Sequence, residues 1–171
     1  MSIKFKVKSK MIKNPILVIC LLFVFQVSSV YPQDKKKIGK VTGLEIPRFV
    51  SLKKSKTFLR RGPGKSYKID WILEKNNYPL KVIAEHEHWR QVIDFQGDEG
   101  WVYFRLLSGK RTIIISKDKI FLRKNSKKKS NPIGILKYGV IGELIGEKEN
   151  SCNARFQNLK GWINKNDAWG C

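Results

Sequence analysis

The chain has 171 residues, with 35 Lys and Arg against 14 Asp and Glu, a formal net charge of +21. A surplus of that size draws a protein to polyanions. At this length a separate catalytic domain is not expected beside two repeated modules of about 60 residues, and neither is an enzyme of that multidomain kind.

Lys4, Lys6, Lys8, Lys10 and Lys13 precede an apolar stretch from Ile16 to Val27, with no acidic residue among them. That is the layout of a secretory signal peptide. The stretch is shorter than the ~20 residues of a membrane-spanning helix, so cleavage is expected rather than anchoring, with residues 1–29 removed and the mature chain beginning near Val30. Cys20 does not suit lipidation, because Ile19 stands before it where a small residue is wanted and Leu21 to Val24 continue the apolar run. Processing takes five of the 35 basic residues and no acid, leaving 30 against 14 and a formal charge of +16. The expected location is the periplasm or the exterior, with no membrane span after processing. The polyanions available there are cell-wall polymer, lipid head groups and lipopolysaccharide; nucleic acid is not an expected partner. Cys152 and Cys171 remain, an even pair that is either bridged or two free thiols. A bridge closing that loop would contribute about 3 kcal/mol.

Residues 30–47 read as a flexible basic leader, since 31–44 show neither a helical nor a strand period. After Pro47 short apolar runs are broken by Gly, Pro, Asn or Asp at the spacing of small all-β folds. Phe58-Leu59-Arg60-Arg61 returns as Phe121-Leu122-Arg123-Lys124, Ile72-Leu73 as Ile135-Leu136, and Gly100-Trp101-Val102 as Gly161-Trp162-Ile163. Anchors repeated in fixed order divide the chain into module one, 48–109, and module two, 110–171. Within module one Leu80, Val82 and Ala84 alternate with Lys81, Ile83 and Glu85 as a half-buried strand. Glu85 to His88 is predicted to turn, Trp89 to Asp94 to run back, and Gln96-Gly97-Asp98 to turn again before Gly100-Trp101-Val102-Tyr103. Modules this small need large side chains in the core, and Trp71, Trp101 and Trp162 are expected to pack there.

Leu59-Arg60-Arg61-Gly62-Pro63-Gly64, Trp71-Ile72-Leu73, Trp89-Arg90-Gln91-Val92 and Gly100-Trp101-Val102 follow one another in the order of known motifs, and on them the chain resembles the bacterial SH3-like domain family. From Ile46-Pro47 to Trp169-Gly170 it is similar to an exported tandem-repeat subfamily. The resemblance implies two tandem SH3-like small β-barrels of five or six strands, a binding role often tied to the cell wall, and no catalytic activity. Module two departs from the pattern, with Lys124 to Lys127 in place of the Gly-Pro-Gly loop and Asn150-Ser151-Cys152 in place of the Trp89 strand. A ligand groove is therefore expected in module one.

Gly62-Pro63-Gly64-Lys65-Ser66 is not a phosphate loop, because the spacing requires Gly where Leu59 stands, and it reads as a β-turn. His86 and His88 would share a strand face, but no third and fourth ligand is fixed nearby, and they read as polar turn residues; no metal or cofactor is expected. Cys152 lacks the separate domain that a papain-like nucleophile needs. The candidate ligand residues are the rings of Tyr67, Trp71, Trp89 and Tyr103 with the nearby Arg60, Arg61 and Arg90. Aromatic faces stack on sugars or peptides and Arg pairs with carboxylates. Lys127, Lys128 and Lys129 form a candidate basic surface. Together these residues give an expected non-catalytic binder of cell-wall peptide or peptidoglycan. The alternatives are an adaptor for another exported protein and a polycation held by membrane head groups or lipopolysaccharide.

Overall fold

The structure, a computed structural model, describes residues 37–171 apart from Lys128. The expected signal peptide and its cleavage point lie outside the described residues. Sixteen strands follow: β1 (Lys37–Ile38), β2 (Glu45–Ile46), β3 (Arg48–Leu52), β4 (Thr57–Arg60), β5 (Ile69–Leu73), β6 (Pro79–His86), β7 (Trp89–Ile93), β8 (Glu99–Tyr103), β9 (Leu107–Ser108), β10 (Thr112–Ile115), β11 (Lys119–Arg123), β12 (Pro132–Lys137), β13 (Ile141–Lys148), β14 (Ser151–Phe156), β15 (Leu159–Asn164) and β16 (Ala168–Trp169). The helical segments among the described residues are two single 3-10 turns, Phe104–Leu106 and Lys165–Asp167. The described residues are all-β, with two seven-stranded antiparallel sheets ordered β5-β4-β8-β7-β6-β3-β9 and β12-β11-β15-β14-β13-β10-β16. The second order is the first with every strand replaced by its counterpart.

The likeness extends to irregularities. Register shifts fall between Leu59 and Arg60 and between Leu122 and Arg123, and again between Val82 and Ala84 and between Leu144 and Gly146. Gly100 and Gly161 stand where β8 and β15 pass close against β4 and β11. A Cβ there would lie 2.9 Å from the Arg60 carbonyl oxygen or 2.6 Å from that of Arg123, so only glycine permits the close approach. Neither sheet is the closed barrel expected from the sequence. The end strands β5 and β9, or β12 and β16, share no hydrogen bonds, and each sheet keeps two edges.

Both modules belong to one compact unit. The core of module one is built on Val50, Leu52, Leu59, Leu80, Val82, Val92 and Val102, that of module two on Ile113, Ile115, Ile120, Leu122, Phe156 and Ile163. Strand β10 is buried along its whole length. Ile113 and Ile115 point into their own module's core, while Ile114, on the opposite face, enters the core of module one. Around that seam Thr112 donates its hydroxyl to the Asn77 carbonyl at 2.7 Å, and Phe49 meets Trp169 edge to face at 4.9 Å. Replacing Ile114 with Ala empties a site shared by both modules. The expected loss is about 2–4 kcal/mol, read as a lower midpoint in urea unfolding.

The stretch 37–46, expected as part of a flexible leader, is a hairpin of β1 and β2 whose turn closes on Glu85. Glu85, expected on the polar side of the 80–85 strand where the turn begins, lies inside β6 with its side chain 1% exposed. It accepts the Val41 and Thr42 N–H groups at 3.1 Å, the Thr42 hydroxyl at 2.6 Å and Arg48 Nη2 at 2.7 Å. No apolar period marks this hairpin because a buried carboxylate holds it. Burial alone would raise the Glu85 pKa, but the bonds from Thr42, Arg48 and Val41 outweigh it and hold the group at about 2. Its unfolded value is about 4.3, so the shift favours folding by about 3 kcal/mol above that pH. This stability is lost as pH falls through 4 to 2. A Glu85→Gln variant should unfold more easily at pH 7 and lack this part of the acid transition, measured by urea unfolding across pH.

Candidate functional site

The ligand residues proposed from sequence do not converge. Arg60 is half-buried and donates Nη1 to the carbonyls of Lys65 at 2.9 Å and Tyr67 at 2.7 Å, which shapes the 61–67 loop from within. Arg61 points outward and pairs through two nitrogens with Asp70, at 2.8 and 3.2 Å; the hydrogen bond from Arg61 holds the Asp70 carboxyl below its ordinary value. Tyr67 lies against Gly62 and Gly64. Arg90 is no ligand arginine: it is 6% exposed, donates to the Glu87 and Trp89 carbonyls at 2.8 Å, and sits 3.6 Å from Glu85. Trp89 and Tyr103 do meet, with ring centroids 5.6 Å apart, in a cluster completed by His88 and Phe104. His86 instead faces Trp101 at 6.4 Å, and among the described residues no group of three or more His, Cys, Asp or Glu side chains forms a metal site.

Trp71 was expected in the core and is 52% exposed. It is the one sequence candidate on a cleft of about 340 Å³ that module one forms with module two. Module one supplies Trp71, Ile72, Tyr78 and Phe95; module two supplies Tyr138 and Gly139 from the β12–β13 turn and Ile114 beneath. Phe95 links the halves, 5.8 Å from Tyr138 and 6.3 Å from Tyr78. Behind them Asp94, 4% exposed, accepts the Tyr78 hydroxyl at 3.1 Å and the N–H groups of Gln96 and Asp98 at 2.8 and 3.0 Å. Burial, then the Asp94 charge and hydrogen bond, push the Tyr78 pKa well above its ordinary value, so the hydroxyl remains a donor. The 94–98 turn presenting Phe95 is thus set by a buried carboxylate. Tyr78 and Asp94 stand 16 residues apart and were not paired from the sequence. Tyr78→Phe should cost about 1–3 kcal/mol in urea unfolding by leaving a buried carboxylate oxygen without its donor.

A larger groove of about 700 Å³ lies in module two, where the sequence suggested none. On β11 Lys119, Phe121 and Arg123 alternate outward, and Arg123 pairs in register with Trp162. Lys117 and Lys127 line the same groove, with Glu149 and Asp167 as its carboxylates. Lys129 is exposed, and Lys128 lies outside the described residues. By strand register, the positions of His88, Trp89 and Tyr103 are held in module two by Asn150, Ser151 and Asn164. The rings that fill this surface in module one are absent there, and space opens. Cys152 occupies the place of Arg90 and is joined to Cys171 in a disulfide with Cα atoms 6.2 Å apart, inside the usual span.

Residues 53–109 match the family model described as bacterial SH3 domain. No curated protein matches the chain. Among solved structures, NlpC2 from Trichomonas vaginalis is similar at 8% identity and a TM-score of 0.34, over 72% of this chain and 48% of that one. An NlpC/P60 family protein from Bacillus cereus is similar at 14% identity and a TM-score of 0.32, over 71% of this chain and 55% of its own. The chain spans about half the length of these structures.

Proposed function

With residues 53–109 belonging to the bacterial SH3 domain family, we propose that this chain is an exported, non-catalytic binding protein that recognises cell-wall peptide in the cleft between its modules. The observation carrying this reading is the open aromatic cleft itself, to which each module offers a ring, Trp71 and Tyr138, that is 52% exposed. Its rim holds Lys75 beside Glu74 and Asp98, complementary to a short peptide bearing both a carboxylate and an amine. The lysine-rich and then apolar N-terminal sequence supports export to the periplasm or beyond. A non-catalytic role is supported by the use of the reactive side chains: Cys152 is bonded to Cys171, and His88 stacks on Phe104.

An adaptor for another exported protein is the second reading. It is favoured by the open edges β5 and β12, which carry Ile72 and Ile135, 49% and 54% exposed. Co-sedimentation with purified peptidoglycan sacculi separates the two. Retention should persist above 0.1 M salt, where charges more than ~10 Å apart are screened. Trp71→Ala and Tyr138→Ala should each weaken it about tenfold, and Trp89→Ala should not. Retention abolished by salt alone, or indifferent to both cleft substitutions, overturns the peptide reading.

A further inference from the structure

The groove of module two is built differently from the peptide cleft. Its cations, Lys117, Lys119, Arg123 and Lys127, outnumber its two carboxylates, Glu149 and Asp167. Between the cations stands Phe121, 48% exposed, and Trp162, half-buried, lies across from Arg123. Arg123 is held in place, its Nη1 donating to the Ser130 carbonyl at 2.6 Å and its guanidinium 5.8 Å from the Phe121 ring. Short polar side chains, among them Asn150, Ser151 and Asn164, line much of the remaining wall.

Each component has a chemical preference. An exposed ring between polar groups is a platform for a sugar ring, whose C–H face is apolar and whose edge carries hydroxyls. Amide and hydroxyl side chains supply donors and acceptors for those hydroxyls. Ammonium and guanidinium groups select anionic substituents. A flat lipid surface would have no use for a recessed groove, and a simple polyanion none for the rings. We propose that this groove is a saccharide site for an acidic glycan whose sugar rings bear carboxylate groups, distinct from the cleft assigned to peptide.

Module one provides an internal control. Lys54, Lys56, Phe58 and Arg60 repeat Lys117, Lys119, Phe121 and Arg123 in sequence and strand position. There the adjoining wall is occupied by the His88, Trp89, Tyr103 and Phe104 rings. The cation-and-ring row is therefore present twice and recessed into the groove once.

The test is titration of the purified protein with tetragalacturonate, with neutral maltotetraose and inorganic tripolyphosphate as comparison ligands. Tetragalacturonate should bind more tightly than either. Phe121→Ser, and separately the pair Lys117→Ser and Lys119→Ser, should each weaken it about tenfold, whereas Lys54→Ser with Lys56→Ser should not. Phe121 is on the surface, so its variant should fold, which circular dichroism checks. Trp71→Ala should leave this binding intact, so failure of the peptide reading and failure of this one are told apart. Tripolyphosphate binding as tightly as the saccharide, tighter binding to phosphatidylglycerol vesicles titrated in parallel, equal losses from the module-one pair, or no saccharide binding overturns the proposal.

Discussion

Strand β10 has no solvent face. Ile113 and Ile115 complete one hydrophobic core while Ile114, between them, completes the other. Alternation along a strand normally separates core from water; here it separates one core from another. Full burial of an isoleucine side chain is worth about 1.5–3 kcal/mol, so neither module reaches its full buried area without its neighbour. The same strand binds β13 and β16 by backbone hydrogen bonds and passes Thr112 to Asn77 across the seam. The inter-module cleft inherits its geometry from this arrangement, because Ile114 is its base and the seam fixes the distance between Trp71 and Tyr138.

Two copies of one frame have diverged mainly in what fills equivalent places. The Arg48–Glu85 pair, 2.7 Å apart, has a counterpart in Arg111–Glu147 at the same distance. In module one that carboxylate closes on the 37–46 hairpin; in module two it holds Lys165 at 2.9 Å. The hydrogen bond from Lys165, aided by Arg111, keeps the Glu147 pKa below its ordinary value. Arg90, buried against its own carboxylate in one module, gives way to a disulfide-bonded cysteine in the other.

What the sequence made legible was what it repeats or alternates. The Phe-Leu-Arg and Gly-Trp anchors landed on corresponding strands, and the 80–85 alternation is strand β6. The run Ile113-Ile114-Ile115 has no period of two, and only tertiary contact reveals that both of its faces are buried. Tryptophan content pointed to the core, yet Trp71 was left outside because β5 is an edge strand with one neighbour. The burial of Glu85 and Arg90 was missed since nothing local marks a buried carboxylate whose partners Arg48 and Val41 lie 37 and 44 residues away in sequence. A signal for the module-two groove was available: Lys-x-Lys-x-Phe-Leu-Arg occurs at 54–60 and again at 117–123. What no motif could show is that small residues beside the second copy leave it hollow.

The strand that finishes the second sheet, β16, is two residues long. So short a segment has little hold on its own register, yet it presents Trp169 to Phe49 and lays Ala168 in the core. The covalent link from Cys171 to Cys152 of β14 follows directly after it. A tether there raises the local concentration of the strand at its docking place, so that detachment is followed by rapid return. Fraying, the ordinary fate of short terminal strands, is thereby suppressed at the seam where both cores meet.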